Sequence, residues 1–201
     1  ASVGSLRAEI EPGHLVVPDQ LIDRTFRRPS TFFGNGIVAH VAVAEPVCAD
    51  LSRLLVEAAA GGGPTVHAGG TYVCMEGPQF STRAESHLYR SWDASIIGMT
   101  NLQEAKLARE AEICFATLAL ATDYDCWHAE HADVVIEDIL RIMQANVALA
   151  RRVVAAAAPR VASPRSCACA TALENAVITD PATVPAKTRR DLEPIIGRVM
   201  R

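Results

Sequence analysis

The densest chemistry in the chain is Thr122-Asp123-Tyr124-Asp125-Cys126-Trp127-His128, directly after the apolar run Ile113 to Ala121. An apolar run of that length reads as a strand, and ligands of α/β sheets bind beyond the C-terminal ends of strands. Two carboxylates at i and i+2 against an apolar wall can have their pKa values driven apart. One then keeps a proton to give to a departing group while the other stays an acceptor. Asp123 and Asp125 could equally do no more than cap the following loop, and their types and spacing leave both roles open.

Two further strand-to-helix junctions carry reactive or recognising groups. Glu76-Gly77-Pro78-Gln79-Phe80-Ser81 would project the Phe80 ring, able to stack on a flat heterocycle, and the Ser81 hydroxyl at one edge. Gly98-Met99-Thr100-Asn101 offers backbone N–H groups and the Thr100 hydroxyl to a sugar or an anion. Each has a plainer counterpart: Phe80 in the core, Thr100-Asn101 as an ordinary helix cap. Three such junctions on one sheet edge make a pocket for a planar, polar ligand. His40, beside apolar residues, reads by itself as structural.

The elements that must position these groups alternate. Strands are expected at Leu15 to Val17 and Ile37 to Val43 with a surface loop from Asp23 to Asn35 between them, then at Val66 to Glu76, Ile96-Ile97 and Ile113 to Ala121. Helices are expected from Cys48 to Ala60, ended by Gly61-Gly62-Gly63-Pro64; from a Ser81 cap to about Trp92; and from an Asn101 cap over Leu102 to Ala111. A long helix follows from Asp133 to about Ala157, and Lys187 to Val199 forms the last. The chain opens on small residues with no initial strand. Alternating elements imply an α/β fold, a mixed central sheet flanked by helices in three layers, with no internal boundary across residues 1–201.

Composition narrows the partners. Half of the 201 residues are apolar, enough for a core, and a net charge of −4 with scattered Lys and Arg builds no basic stripe for nucleic acid or an anionic membrane. No run is long enough to span a bilayer and no signal peptide opens the chain, so a cytoplasmic protein with a small-molecule ligand is expected. The six cysteines, mostly within apolar runs, read as reduced core residues. Cys167-Ala168-Cys169 has no second pair at a zinc spacing, so no metal site is expected.

Gly70-Thr71, Glu76 to Glu85, Gly98-Met99-Thr100 and Thr122 to Trp127, in this order, resemble the trimeric purine nucleoside phosphorylases and, among them, the methylthioadenosine phosphorylases. The resemblance extends over Gly4-Ser5-Leu6, Pro18 to Thr25 and Ala44-Glu45-Pro46, nearly the whole chain. It implies that Asp123 binds and protonates N7 of adenine, that Asp125 assists at the 6-amino side, that Phe80 stacks on the base, and that Ser81 lines its Watson–Crick edge. It places Met99 at the ribose, Thr100 and Ala1 at phosphate, and His40 at the 5′ substituent in a neighbouring subunit's site. Relatives specific for 6-oxopurines carry Glu where Ser81 stands and Asn in place of an Asp in the strand-end motif. Adenine nucleosides are therefore the expected substrates, with inorganic phosphate as co-substrate, no cofactor, and a homotrimer as the assembly. In thermophilic members a Cys-x-Cys pair like Cys167 and Cys169 can be oxidised.

The chain also departs from that pattern. The family's opening strand, Gly-rich phosphate loop and Arg-His segment have no counterpart, so Ala1 is expected to enter the family domain about a third of the way in. Two other functions stay open on these grounds: a non-catalytic purine-binding fragment, and a nucleosidase that uses water. The second is disfavoured by the lack of a metal-binding Asp cluster.

Overall fold

The computed structural model describes residues 1–61, 63–128, 136–161 and 164–200. Its centre is a mixed sheet of seven strands: β1 (Ser2–Ser5), β2 (Leu15–Val17), β3 (Gln20–Arg24), β4 (Val66–Ala68), β5 (Thr71–Met75), β6 (Ile96–Gly98) and β7 (Ala119–Asp123), in the order β3-β5-β6-β1-β7-β2-β4. Five α-helices flank it: α1 (Ala49–Ala60), α2 (Arg83–Ser91), α3 (Leu102–Glu110), α4 (Ile136–Ala157) and α5 (Ala186–Ile196).

Side chains alternate across the pleat, and each face has its own core. Val3, Val16, Tyr72, Cys74, Ile96, Ala119 and Ala121 pack on one face with Leu102 of α3. On the other face, Leu15, Val17 and Leu120 meet α1 and α4 through Leu55, Ala59, Leu149 and Val153. Further along that second face, Val73 and Ile97 meet Tyr89 of α2. Between these two packed blocks runs β1, which presents Gly4 to the same face.

The edges of the sheet are two halves of one ribbon. β2 pairs with β4 and β3 with β5, both parallel, although only Pro18-Asp19 separates β2 from β3 and only Gly69-Gly70 separates β4 from β5. The kink is held where Gly69 N–H donates to the Val17 carbonyl at 2.9 Å and Gly70 N–H to Asp19 Oδ1 at 3.0 Å. At φ values of +84° and +106° the two glycines adopt a left-handed bend that side-chain-bearing residues resist. The sheet therefore curls back on itself, and the single strand expected over Val66 to Glu76 is two.

Other expectations are corrected in the same way. An opening strand does exist, and β1 lies in the middle of the sheet. The stretch Ile37 to Val43 is not a strand: among the described residues its ladder contacts are isolated bridges, Gly34 to Ile37 and Ala39 to Val177. Ile37 is buried with Val184, Ile196 and Met200 of the C-terminal segment, so that docking satisfies the segment's apolar residues instead of a sheet. β3 takes the start of the expected loop at Asp23. The apolar run from Ile113 yields a strand only at Ala119, because Ile113 N–H closes the end of α3 on the Ala108 carbonyl and its side chain is 57% exposed.

Helix α2 is capped by Thr82 rather than Ser81: Thr82 Oγ1 accepts from Glu85 N–H at 3.2 Å and Glu85 Oε2 accepts from Thr82 N–H at 2.8 Å, a reciprocal box. Asn101 does lead into α3, with Glu104 reaching back to its N–H at 2.8 Å. The expected start of the long helix at Asp133 lies outside the described residues, and α5 ends at Ile196, capped by Gly197, before the expected Val199.

The cysteines are corrected too. Cys48, Cys114, Cys167 and Cys169 are not scattered through the core: their four sulfur atoms lie within 4.8 Å of one another.

Candidate active site

The site is built around β1. That strand runs parallel to β7 and antiparallel to β6, with Gly4 opposite Ile97 on one side and Asp123 on the other. Simple alternation from Ala121 would turn Asp123 to the α3 face of the sheet. The register instead slips between Val3 and Gly4: Val3 pairs with Ala121, and Gly4 pairs with Asp123. This irregularity skips Thr122 and re-aims Asp123 toward Gly4, as bulges beside functional sites do. A Cβ on Gly4 would sit 3.0 Å from Asp123 Oδ1 and 3.4 Å from Asp125 Cβ. Glycine there leaves the carboxylate pair open to whatever lies over β1.

The two carboxyls are held differently. Asp123 accepts from the Thr122 hydroxyl at 2.7 Å through Oδ2 and from the Asp125 backbone N–H at 2.8 Å through Oδ1. Asp125 sits at φ +51° with only 7% of its surface exposed, and its Oδ2 is buried without a hydrogen-bond partner. Burial pushes its carboxyl up to about 6; the Ser86 hydroxyl on α2 draws it down, and the nearby Asp123 charge raises it again. Ser86 Oγ lies beside that carboxyl without completing a hydrogen bond to it. The pair thus separates into an engaged acceptor and a buried carboxyl that takes up a proton far more readily than a free one, titrating at about 6.

The three junctions do not share one sheet edge: β6 runs antiparallel to β1 and β7 parallel to it, so the turn after β7 leaves the opposite end from those after β5 and β6, and contacts between the turns link them instead. Cys126 Sγ donates to the Ser81 carbonyl at 3.4 Å, tying the Asp123–Asp125 turn to the Phe80-Ser81 turn. A Cβ on Gly77, at φ +68°, would come within 2.6 Å of Met99 Sδ, so the second turn also closes on the third. Ser81 Oγ lies 3.6 Å from Met75 Sδ, and Phe80 is 72% exposed, a ring that no core claims. The turn after β7 is braced by Trp127, whose Nε1 donates to the Ser5 carbonyl at 2.7 Å beneath the Arg90 guanidinium, 3.5 Å from the ring centre.

Thr100 and Ala1 lie at the other end of β1. Because β6 is antiparallel to β1, the register that sets Gly4 opposite Ile97 leads Met99 and Thr100 toward Ser2 and Ala1. The first residue is anchored there, its amino group donating to the Leu118 carbonyl at 2.8 Å. Three residue steps separate Ala1 from Gly4, about 10 Å at ~3.3 Å each. The backbone N–H of Thr100 faces the hydroxyl of Tyr72 at 3.4 Å, and its side chain is exposed. His40 is also exposed, held by its N–H on the Ala176 carbonyl at 2.8 Å. No hydrogen bond among the described residues joins the His40 side chain to the other candidates.

Sequence reasoning missed Arg28, which lies in what reads as a surface loop. Its guanidinium donates to the carbonyls of Met75 at 3.3 Å, Glu76 at 2.5 Å and Met99, and to Gln103 Oε1 at 3.1 Å, while Nε lies 3.6 Å from Glu76 Oε1. One side chain thereby ties the ends of β5 and β6 together. An arginine inside a polar, Pro-containing stretch gives no periodic signal, so only the folded contacts reveal it.

Residues 1–159 match the family model described as "Phosphorylase superfamily". The S-methyl-5′-thioadenosine phosphorylase of Geobacter sulfurreducens is 60% identical over 198 residues, which is 98% of this chain and 69% of the relative. The chain belongs to the S-methyl-5′-thioadenosine phosphorylase family. Among solved structures, a methylthioadenosine phosphorylase sourced from an Antarctic soil metagenomic library superposes with a TM-score of 0.91 at 45% identity, covering 96% of this chain and 69% of that one. A mutant of the adenosine/methylthioadenosine phosphorylase of Schistosoma mansoni, in complex with methylthioadenosine, matches with a TM-score of 0.74 at 31% identity, over 82% of this chain and 63% of that one. The mixed sheet with its flanking helices is thus the phosphorylase fold that the motifs implied.

Proposed function

We propose that this chain carries out phosphorolysis of 5′-methylthioadenosine, giving adenine and 5-methylthioribose 1-phosphate, in purine and methionine salvage. The observation that carries the reading is the bulge in β7, which delivers Asp123 to the Gly4 face next to a second, buried carboxyl whose pKa burial raises to about 6.

The substrate lies along β1. Adenine occupies the Gly4 end, where Asp123 meets N7 and Asp125 the 6-amino group, with Phe80 stacked on the base and Ser81 at its Watson–Crick edge. Ribose lies over Met99, and phosphate takes the far end at Thr100 and Ala1, a separation that suits a nucleoside and an anion laid in line. Phosphate attacks C1′ as the bond to N9 breaks, through an oxocarbenium-like sugar. Asp123 delivers a proton to N7, so adenine leaves neutral, while the Asp125 carboxylate accepts from the 6-amino group; Asp123 is then reprotonated from solvent. General-acid help of this kind supplies about 10²–10⁴-fold, and the bound phosphate dianion stabilises the cationic sugar. A carboxylate facing the base accepts from an exocyclic amine and repels a 6-oxo oxygen, a difference of roughly 1–3 kcal/mol for a buried group.

Phe80 and His40, both exposed in the single chain, fit an active site completed by a neighbouring subunit of a homotrimer. Light scattering on the eluting protein tests that assembly.

The decisive assay incubates the protein with methylthioadenosine, with and without inorganic phosphate. Adenine release that needs phosphate, forms methylthioribose 1-phosphate, and falls at least 10²-fold in Asp123→Ala is expected. Adenine formed equally fast without phosphate would replace phosphorolysis with hydrolysis, and binding without turnover would remove the catalytic reading.

A further inference from the structure

Four cysteines that take no part in the nucleoside site meet at one point. Cys48 immediately precedes α1, Cys114 follows α3, and Cys167 and Cys169 flank the start of the short 3-10 turn Ala168–Thr171. Three distant segments thus send sulfur atoms to one point, all within 4.8 Å of each other, with Cys114 and Cys167 at 3.3 Å. Thiols packed merely as small apolar groups would need no such mutual orientation.

The surroundings indicate what the sulfurs hold. Arg109 Nη1 on α3 points at Cys169 Sγ from 3.7 Å, and Arg165 Nη1 points at Cys114 Sγ from 3.7 Å. A guanidinium keeps its charge at any accessible pH, so two of them aimed at sulfur match thiolates far better than neutral thiols. Cys48, Cys114 and Cys167 also line a cavity of about 410 Å³, which gives an ion a route in.

We propose that Cys48, Cys114, Cys167 and Cys169 form a tetrathiolate site for a single Zn²⁺ ion. With Zn–S bonds of about 2.3 Å, a tetrahedron places its sulfurs about 3.8 Å apart, inside the 4.8 Å limit that the four already satisfy. Binding displaces four thiol protons. Four thiolates and Zn²⁺ leave a charge of −2, which the two arginines balance as outer ligands do around structural metals. With four protein ligands no position remains for substrate, so the ion is structural. It clamps the start of α1, the segment after α3 and the C-terminal segment to one another. Two-ligand zinc motifs are read from paired spacings, and this site escapes them because Cys48 and Cys114 are each single in sequence.

The test is metal analysis of the full chain purified without chelator, by native mass spectrometry and inductively coupled plasma detection. One zinc per chain is expected. Replacement by Co²⁺ should give the charge-transfer and d–d bands of a tetrahedral thiolate site. Chelation should lower the Tm reversibly, and Arg165→Gln should weaken zinc affinity by about 10-fold or more. Cys167→Ser, at a half-buried position, should lose zinc while nucleoside turnover persists at low temperature. Metal-free protein whose four thiols react freely with a thiol reagent would overturn the site. So would unreduced protein lighter by two hydrogens for each disulfide among these residues.

Discussion

Replacing Asp125 by Asn should make the protein more stable and less active at once. In the folded chain burial lifts the Asp125 carboxyl from its ordinary 3.8 to about 6. A carboxyl raised in this way supports folding fully only below its unfolded value and loses that support as pH rises through the folded one, because the fold must then bury a charge. A difference of about two pH units corresponds to about 3 kcal/mol. Asn is neutral, nearly isosteric, and among the non-glycine residues that tolerate the φ of +51° found here. The variant should therefore gain about 3 kcal/mol at pH 7.5, about half of that at pH 5 and little at pH 4. At neutral pH, that gain raises the Tm by roughly 6–12 °C for a chain of this length. Paired thermal melts across that range measure it, with adenine release followed in parallel. A difference between the two proteins that does not change with pH, or an Asn variant that melts lower at pH 7.5, would refute the account of Asp125 as a buried carboxyl at the base.

Gly4→Ala should leave the unfolding free energy within about 1 kcal/mol of the parent but lower kcat/KM about tenfold or more, since its Cβ would intrude to 3.0 Å from Asp123 Oδ1; steady-state kinetics decide. Gly98→Ala should act on stability instead, because a Cβ there would lie 2.1 Å from the fully buried Tyr72 hydroxyl. Overpacking of this kind costs about 1–3 kcal/mol, read from denaturant midpoints. Arg28→Ala removes charge-assisted hydrogen bonds to the carbonyls of Met75, Glu76 and Met99 and should destabilise by about 2–3 kcal/mol, with kcat falling as the β5 and β6 turns loosen.

What could be read from the chain followed physical scale. Helices α1 and α3 were legible because apolar periodicity, caps and glycine stops act over neighbouring residues, and the Asp123–Asp125 turn was legible because it directly follows an apolar run. β1 was not, because Ser2-Val3-Gly4-Ser5 has neither length nor β-branched alternation, and its place in the sheet comes entirely from β6 and β7 pairing on either side. Arg28 and the cysteine cluster were hidden for the same reason: their partners are separated by tens of residues, and nothing local marks the meeting.

The β7 irregularity shows why the site itself needed both kinds of information. Residue types alone supply two carboxylates after a strand, a pattern that loop caps also produce. The pleat alone would turn Asp123 away from Asp125's surroundings and toward the α3 core, where an ionised side chain would be strongly disfavoured. Skipping Thr122 resolves the conflict: the Thr122 hydroxyl stays buried, donating to Asp123 Oδ2 at 2.7 Å with the Val3 carbonyl 3.2 Å away, while Asp123 turns to the open face over Gly4. The polar residue that the bulge buries is thus a donor to the carboxylate that the bulge exposes. That coupling makes the threonine before the aspartate part of the geometry that aims it.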